Sequence, residues 1–121
     1  MVAQILLIED EIKIAQFLEL DLSDEGYQVG IAYDGVTGLE AAQTTQPDLV
    51  ILDWNLPDLN GLEVCRHLRS VGNNAPIIFI SAISSRENHI AGLKAGANDF
   101  MVKPFNTEEL LAKITTHLQP A

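Results

Sequence analysis

Apolar residues gather in five short runs, at residues 5–8, 29–32, 49–52, 77–80 and 100–102, and longer amphipathic stretches separate them. The runs are continuous rather than alternating, as expected of strands covered on both faces. Between them apolar positions return every three or four residues, the mark of a helix with one buried stripe. Ile14, Leu18 and Leu22 form one stripe, and Val36, Leu39 and Ala42 a second. Leu62, Cys65 and Leu68 form a third, Ile90 and Leu93 a shorter fourth, and Leu111, Ile114 and Leu118 the last. Gly26, Gly35, Pro47, Asn60-Gly61, Gly72-Asn73-Asn74, Gly96 and Pro104 punctuate the gaps. Gly26 and Gly96 suit helix ends. Asn106 and Thr107 before Glu108-Glu109 suit a helix start.

Strands alternating with helices predict a parallel sheet with right-handed crossovers. Five such units give an α/β chain of (βα)5 form. Its helices must cover two faces, so a doubly wound parallel five-stranded sheet is the expected architecture. The tail Gln119-Pro120-Ala121 reads as the start of a linker or as the end of the domain.

Composition narrows the function. A length of 121 residues, 47% of them hydrophobic, supports one domain over residues 1–121. The net charge of −10 argues against nucleic-acid binding through this domain, because phosphate neutralisation needs a basic patch. A single cysteine, Cys65, excludes an intramolecular disulfide and suits a reducing compartment. The N-terminus lacks a basic region before its apolar run, and no run approaches the ~20 residues of a membrane helix. The expected location is cytoplasmic, with no membrane contact.

In open α/β sheets ligands bind at the carboxyl ends of the strands. The first run ends in Glu9-Asp10, the third in Asp53, the fourth in Ser81 and the fifth in Lys103-Pro104. Three carboxylates and one lysine leave a charge deficit that a divalent cation would close. Oxygen ligands with room for water and phosphate oxygens suit Mg²⁺, with Mn²⁺ as an alternative. Asp53 is then placed to act as a nucleophile toward phosphorus, while Ser81 and Lys103 contact phosphoryl oxygens.

The segments Ile8-Glu9-Asp10-Glu11, Leu52-Asp53-Trp54-Asn55-Leu56-Pro57 with Asn60-Gly61, Ile80-Ser81-Ala82 and Val102-Lys103-Pro104-Phe105 resemble the CheY-like receiver domain of two-component response regulators. Residues 53–61 and 92–97 are most similar to the OmpR/PhoB subfamily of transcription factors. The resemblance implies the flavodoxin-like strand order 2-1-3-4-5. It implies that Asp53 is the phosphoacceptor, charged by the phosphohistidine of a sensor histidine kinase. Glu9, Asp10, Asp53 and the backbone carbonyl of Asn55 match the metal site. Ser81 and Phe100 match the switch pair, and Lys103 the phosphate-binding lysine. It also implies a change of the face made by the fourth helix, fifth strand and fifth helix, controlling an output such as transcription. DNA would be reached only through a C-terminal output domain absent from this chain. The subfamily forms a homodimer through that face by charged pairs. His89, Asn98 and Lys113 replace several of them while Asp99 is retained, so a weaker homodimer is expected. Phe100 stands where tyrosine is common, and Asn55 where methionine is frequent.

Plainer readings stand beside these. Asp10 alone would be a helix cap, Ser81 a turn residue and Lys103-Pro104 a fixed kink. Cys65 lies on an apolar stripe and belongs in the core. His67, His89 and His117 lack metal-ligand spacing and read as solvated surface. The acids of residues 19–25 read as a solvated helix face. An aspartyl-nucleophile phosphohydrolase would place a second Asp where Asn55 stands, so the chain reads as a phosphoacceptor that assists its own phosphorylation and dephosphorylation, with no turnover of a free substrate, and not as an enzyme. A nucleotide or flavin carrier would need a glycine-rich phosphate loop that the chain lacks.

Overall fold

The computed structural model describes residues 2–118. Five strands, β1 (Gln4–Ile8), β2 (Gln28–Ala32), β3 (Leu49–Asp53), β4 (Ile77–Ser81) and β5 (Asp99–Val102), alternate with α1 (Ile12–Asp24), α2 (Gly35–Thr45), α3 (Gly61–Ser70), α4 (Arg86–Ala95) and α5 (Thr107–Leu118). Every predicted run lies inside an observed strand. The tail at 119–121 lies outside the described residues.

The sheet is wholly parallel in the order β2-β1-β3-β4-β5. Successive side chains on a strand point to opposite faces, so each central strand feeds two cores. Leu6, Ile8, Val50, Leu52, Ile77 and Phe79 pack with Ala42 of α2 and Val64, Cys65 and Leu68 of α3. Ile5, Leu7, Leu49, Ile51, Ile78 and Ile80 pack with Ala15, Leu18 and Leu22 of α1 and Leu110 and Ile114 of α5. All five residues of β3 and of β4 are buried, as continuous apolar runs demand. Burying each such Leu or Ile stabilises by roughly 1.5–3 kcal/mol before chain entropy is charged.

Four expectations need correction. The edge strand β2 is not covered on both faces: Gln28 and Gly30 are exposed, and Val29 and Ile31 only half-buried. An edge position leaves one side without a neighbouring strand, and apolarity alone does not reveal it. Val36 of α2 is exposed, and the buried positions are Gly35, Gly38 and Ala42. Ile90 and Leu93 of α4 are exposed as well, and Gly92 is the buried residue. A Cβ at Gly92 would stand 3.1 Å from Phe79 and 3.3 Å from Trp54, so α4 approaches the sheet by backbone rather than by an apolar stripe. Of the residues at 19–25, Asp21 is half-buried and accepts a hydrogen bond from Thr107 Oγ1 at 2.7 Å, tying α1 to α5.

The end signals hold. Gly96 closes α4 at φ +110°, in the left-handed region that suits glycine. Asn106 Oδ1 accepts from the Glu109 amide at 2.7 Å, as a cap of α5 should. At the amino-terminal edge of β4 and β5, Arg69 donates to the carbonyls of Asn73, Ala75 and Gly96 and to Asn98 Oδ1, binding α3 to the turn before β5. Among the described residues no helix is long and apolar enough to cross a membrane.

Candidate functional site

The strand ends named above do converge. Parallel strands expose all their carboxyl ends on one edge, so residues 9, 53, 81 and 103 meet there despite their separation in sequence. Glu9 is fully buried at the end of β1, and Asp53 is 4% exposed at the end of β3. Lys103, just beyond β5, bridges them: its Nζ donates to Glu9 Oε1 at 2.9 Å and to Asp53 Oδ2 at 3.1 Å. Oxygen atoms of Glu9, Asp10 and Asp53 lie within 4.8 Å of one another, and Asp10 is exposed on the open side of the group. The Lys103-Pro104 peptide is cis.

Backbone bonds hold these positions. The Trp54 amide donates to the Ile80 carbonyl at 2.9 Å, and the Lys103 amide to the Ser81 carbonyl at 2.7 Å, so the ladder carries on past the last strand residues. The remaining carboxylate oxygens are also occupied. Asp53 Oδ1 accepts from the Asn55 amide at 3.0 Å, and Glu9 Oε2 accepts from the Glu11 amide at 3.2 Å. Ser81 is buried, and its Oγ accepts from the Ile83 amide at 3.1 Å.

The reading of Asp10 as a helix cap fails. The residue at the cap of α1 is Glu11, and it makes no side-chain capping bond. Asp10 therefore stands beside Glu9 and Asp53 rather than serving the helix. The donor set is three carboxylates, hard oxygen ligands with one open side, and this chemistry fits a hard divalent cation.

Electrostatics record the crowding. Burial, reinforced by the neighbouring Asp53 carboxylate and opposed by Lys103, pushes Glu9 up to about 8. Burial works against the charge of Lys103, but Glu9 and Asp53 outweigh it and hold the lysine above its ordinary range. A single cation is thus shared by more acid than it can balance, and one carboxyl keeps its proton as the alternative.

Phe100 is 8% exposed and belongs to the core beneath α4. His89 stacks on it with ring centroids 5.1 Å apart, and Trp54 meets it edge-on at 5.8 Å. The aromatic contacts thereby run from the neighbour of Asp53 to the surface of α4. Asn98 turns away from that surface, accepting from Arg69 and from the Ile77 amide. Lys113 donates to Asp99 Oδ1 at 2.9 Å, and His117 Nε2 lies 3.0 Å from Asp99 Oδ2. His117 is therefore half-buried and paired, against its reading as solvated surface, while His67 is exposed as expected. Cys65 is buried, and burial pushes its thiol up.

Two contributors escaped the sequence reading. Asp58 accepts from the amides of Gly35 and Val36, a contact to another loop that no local pattern announces. Gly61 appeared as turn punctuation and as part of a family motif with no role attached, yet a Cβ there would collide with the Asp53 carbonyl oxygen.

Comparison with known proteins agrees with this geometry. A family model described as response regulator receiver domain matches residues 5–115. Response regulator ArlR of Staphylococcus saprophyticus is 49% identical over 116 residues, covering 96% of this chain and 52% of that protein. The same-named protein of Staphylococcus aureus is 50% identical with the same coverage. The chain thus spans about half the length of the curated relatives it matches. Among solved structures, the Francisella response regulator 1452 receiver domain superposes with a TM-score of 0.92 at 34% identity, covering 96% of both chains. Vibrio cholerae chemotaxis protein CheY4 gives 0.92 at 34% identity, over 98% of this chain and 100% of that one. With the motifs on the strand ends that the fold requires of them, the chain belongs to the response regulator receiver domain family of two-component systems.

Proposed function

We propose that this chain accepts a phosphoryl group on Asp53 from the phosphohistidine of a sensor histidine kinase and transmits the change through the α4-β5-α5 face. The observation that carries this reading is a buried Asp53 carboxylate, 3.1 Å from Lys103 and grouped with Glu9 and Asp10 on an open rim.

In the step, an oxygen of Asp53 forms a bond to phosphorus as the donor's P–N bond breaks. The bonding electron pair stays on the imidazole nitrogen, which takes a proton. Lys103 holds one carboxylate oxygen of Asp53 and is placed to pair with a phosphoryl oxygen as charge moves outward. Ser81 would give up the Ile83 amide and turn its hydroxyl toward the phosphoryl group. Phe100, already against His89 and Trp54, carries that shift to α4. Glu9, Asp10, Asp53 and the Asn55 carbonyl would hold Mg²⁺, or Mn²⁺, which neutralises charge on the acids and on phosphoryl oxygens when bound.

No turnover of a free substrate follows from this set, since Asn55 offers no carboxyl as general acid. The relatives are about twice as long, which supports an output domain acting on transcription beyond these residues, and membership of the receiver family supports a cytoplasmic setting. A homodimer through α4-β5-α5 would be weak, because Asn98 and Lys113 already have partners within the chain.

Acetyl phosphate with Mg²⁺ should add one phosphoryl group to the wild type by intact-mass analysis, and none to Asp53→Asn. Equal modification of both proteins would overturn the assignment.

A further inference from the structure

The segment from Trp54 to Asn60 leaves the acid cluster, carries Asn55, and rejoins the fold at Gly61. Its base is closed by the Gly61 amide donating to the Trp54 carbonyl at 2.8 Å. Its far end is held by a longer-range contact. Asp58 Oδ1 accepts from the Gly35 amide at 2.7 Å, and Oδ2 from the Val36 amide at 3.0 Å. These are the first amides of α2, which have no partner inside the helix. The next, Thr37, donates to the ordinary cap Asp34 at 2.7 Å. Gly35 is what lets the two segments meet: a Cβ there would stand 2.8 Å from Leu59 Cβ and 2.9 Å from the Leu59 carbonyl oxygen.

We propose that Asp58 is a positioning residue for the metal site: by clamping the far end of this loop onto the first turn of α2, it orders the Asn55 carbonyl as a ligand. The inference rests on the function proposed above. Asp58 stands outside the Glu9, Asp10 and Asp53 group, and the amides of α2 occupy both its oxygens, so it acts through the loop. The amides of Val36 and then Gly35 hold its carboxyl below the ordinary range, which keeps both acceptors ionised. Mg²⁺ demands near-ideal octahedral geometry, so a carbonyl that must first be ordered binds it less well. Partners that orient metal ligands typically govern affinity by 10- to 100-fold.

The test is a MgCl₂ titration followed through Trp54, the sole tryptophan, with Mn²⁺ proton relaxation as an independent check. Asp58→Ala should weaken Mg²⁺ binding roughly 10-fold. Asp58→Asn, which keeps one acceptor oxygen, should weaken it less. Asp34→Ala removes a cap from the same turn without touching the loop and should leave the affinity unchanged. Amide exchange at Gly35 and Val36 in the metal-free protein should quicken in Asp58→Ala. Unchanged affinity in Asp58→Ala, or an equal loss in Asp34→Ala, overturns the inference while leaving the proposed function standing. A wild type that binds no Mg²⁺ overturns both.

Discussion

Two lysines of this protein stand at similar distances from carboxylates, and their surroundings make opposites of them. At the rim, Lys103 lies 2.9 Å from Glu9 and 3.1 Å from Asp53, with Asp10 beside them. At the start of β5, Lys113 lies 2.9 Å from Asp99, and His117 takes the other carboxylate oxygen at 3.0 Å. Acids outnumber the cation in the first cluster, and bases outnumber the acid in the second. Glu9 is accordingly pushed up to about 8. Burial would raise Asp99 too, but hydrogen bonds from Lys113 and His117 outweigh it and hold that carboxyl below its ordinary value. A carboxylate already matched by a lysine and an imidazole has little left to offer a ligand. A group with excess acid invites one, and that separates a site from a brace.

The contrast can be broken most severely at Lys103. Lys103→Met leaves Glu9 and Asp53 without their shared cation. A buried partner lost in this way costs about 3–5 kcal/mol, and because Glu9 already keeps its proton at neutral pH, leaving one carboxylate rather than two unpaired, about 2–3 kcal/mol is expected in urea denaturation. A smaller loss would mean that the rim tolerates its surplus acid without help.

The two acids should next oppose each other in pH. Glu9 binds its proton more tightly folded than unfolded, so between its ordinary 4.5 and about 8 the folded state holds more protons. Stability should therefore fall as pH rises through that window, by at most about 1.4 kcal/mol per pH unit. Glu9→Gln should flatten the slope, and Mg²⁺ should flatten it by displacing the proton. A flat wild-type profile without metal would refute the assignment.

Asp99 behaves in the reverse sense. Its contribution is complete above 3.8 and is lost as pH falls through its depressed folded value. Asp99→Asn should cost about 1 kcal/mol at neutral pH, since its bonds are charge-assisted but part-exposed, and should converge with wild type in strong acid. A difference that persists at low pH would assign the effect to packing.

The smallest effect belongs to Lys113→Met, because His117 still holds Asp99. About 0.5 kcal/mol, diminished by salt, is expected of a pair this exposed. A loss as large as that of Lys103→Met would erase the distinction between the clusters.

Much of the rim was legible before any coordinates. In a parallel sheet the period of the apolar runs locates the strand ends, and topology sends those ends to one edge. Glu9, Asp10, Asp53, Ser81 and Lys103 could therefore be named from order alone. Asp58 could not, because its partners Gly35 and Val36 are 23 and 22 residues away and belong to another crossover. Gly92 could not either: apolar spacing pointed to Ile90 and Leu93, but α4 closes on Phe79 and Trp54 through the residue with no side chain. Pattern registers side chains that need burial and is blind to gaps that let backbones approach.

The amino-acid order determined by itself the number and kind of elements, the parallel sheet, the family motifs and the acids at the strand ends. Those follow from periodicity and chirality, which act over a few residues at a time. Tertiary structure alone decided which carboxylate found enough positive charge. Asp99 is compensated by Lys113 and His117, whereas Glu9 and Asp53 must share Lys103. Such balances turn on separations of about 3 Å between charged atoms, where electrostatic energy changes steeply and sequence distance carries no information.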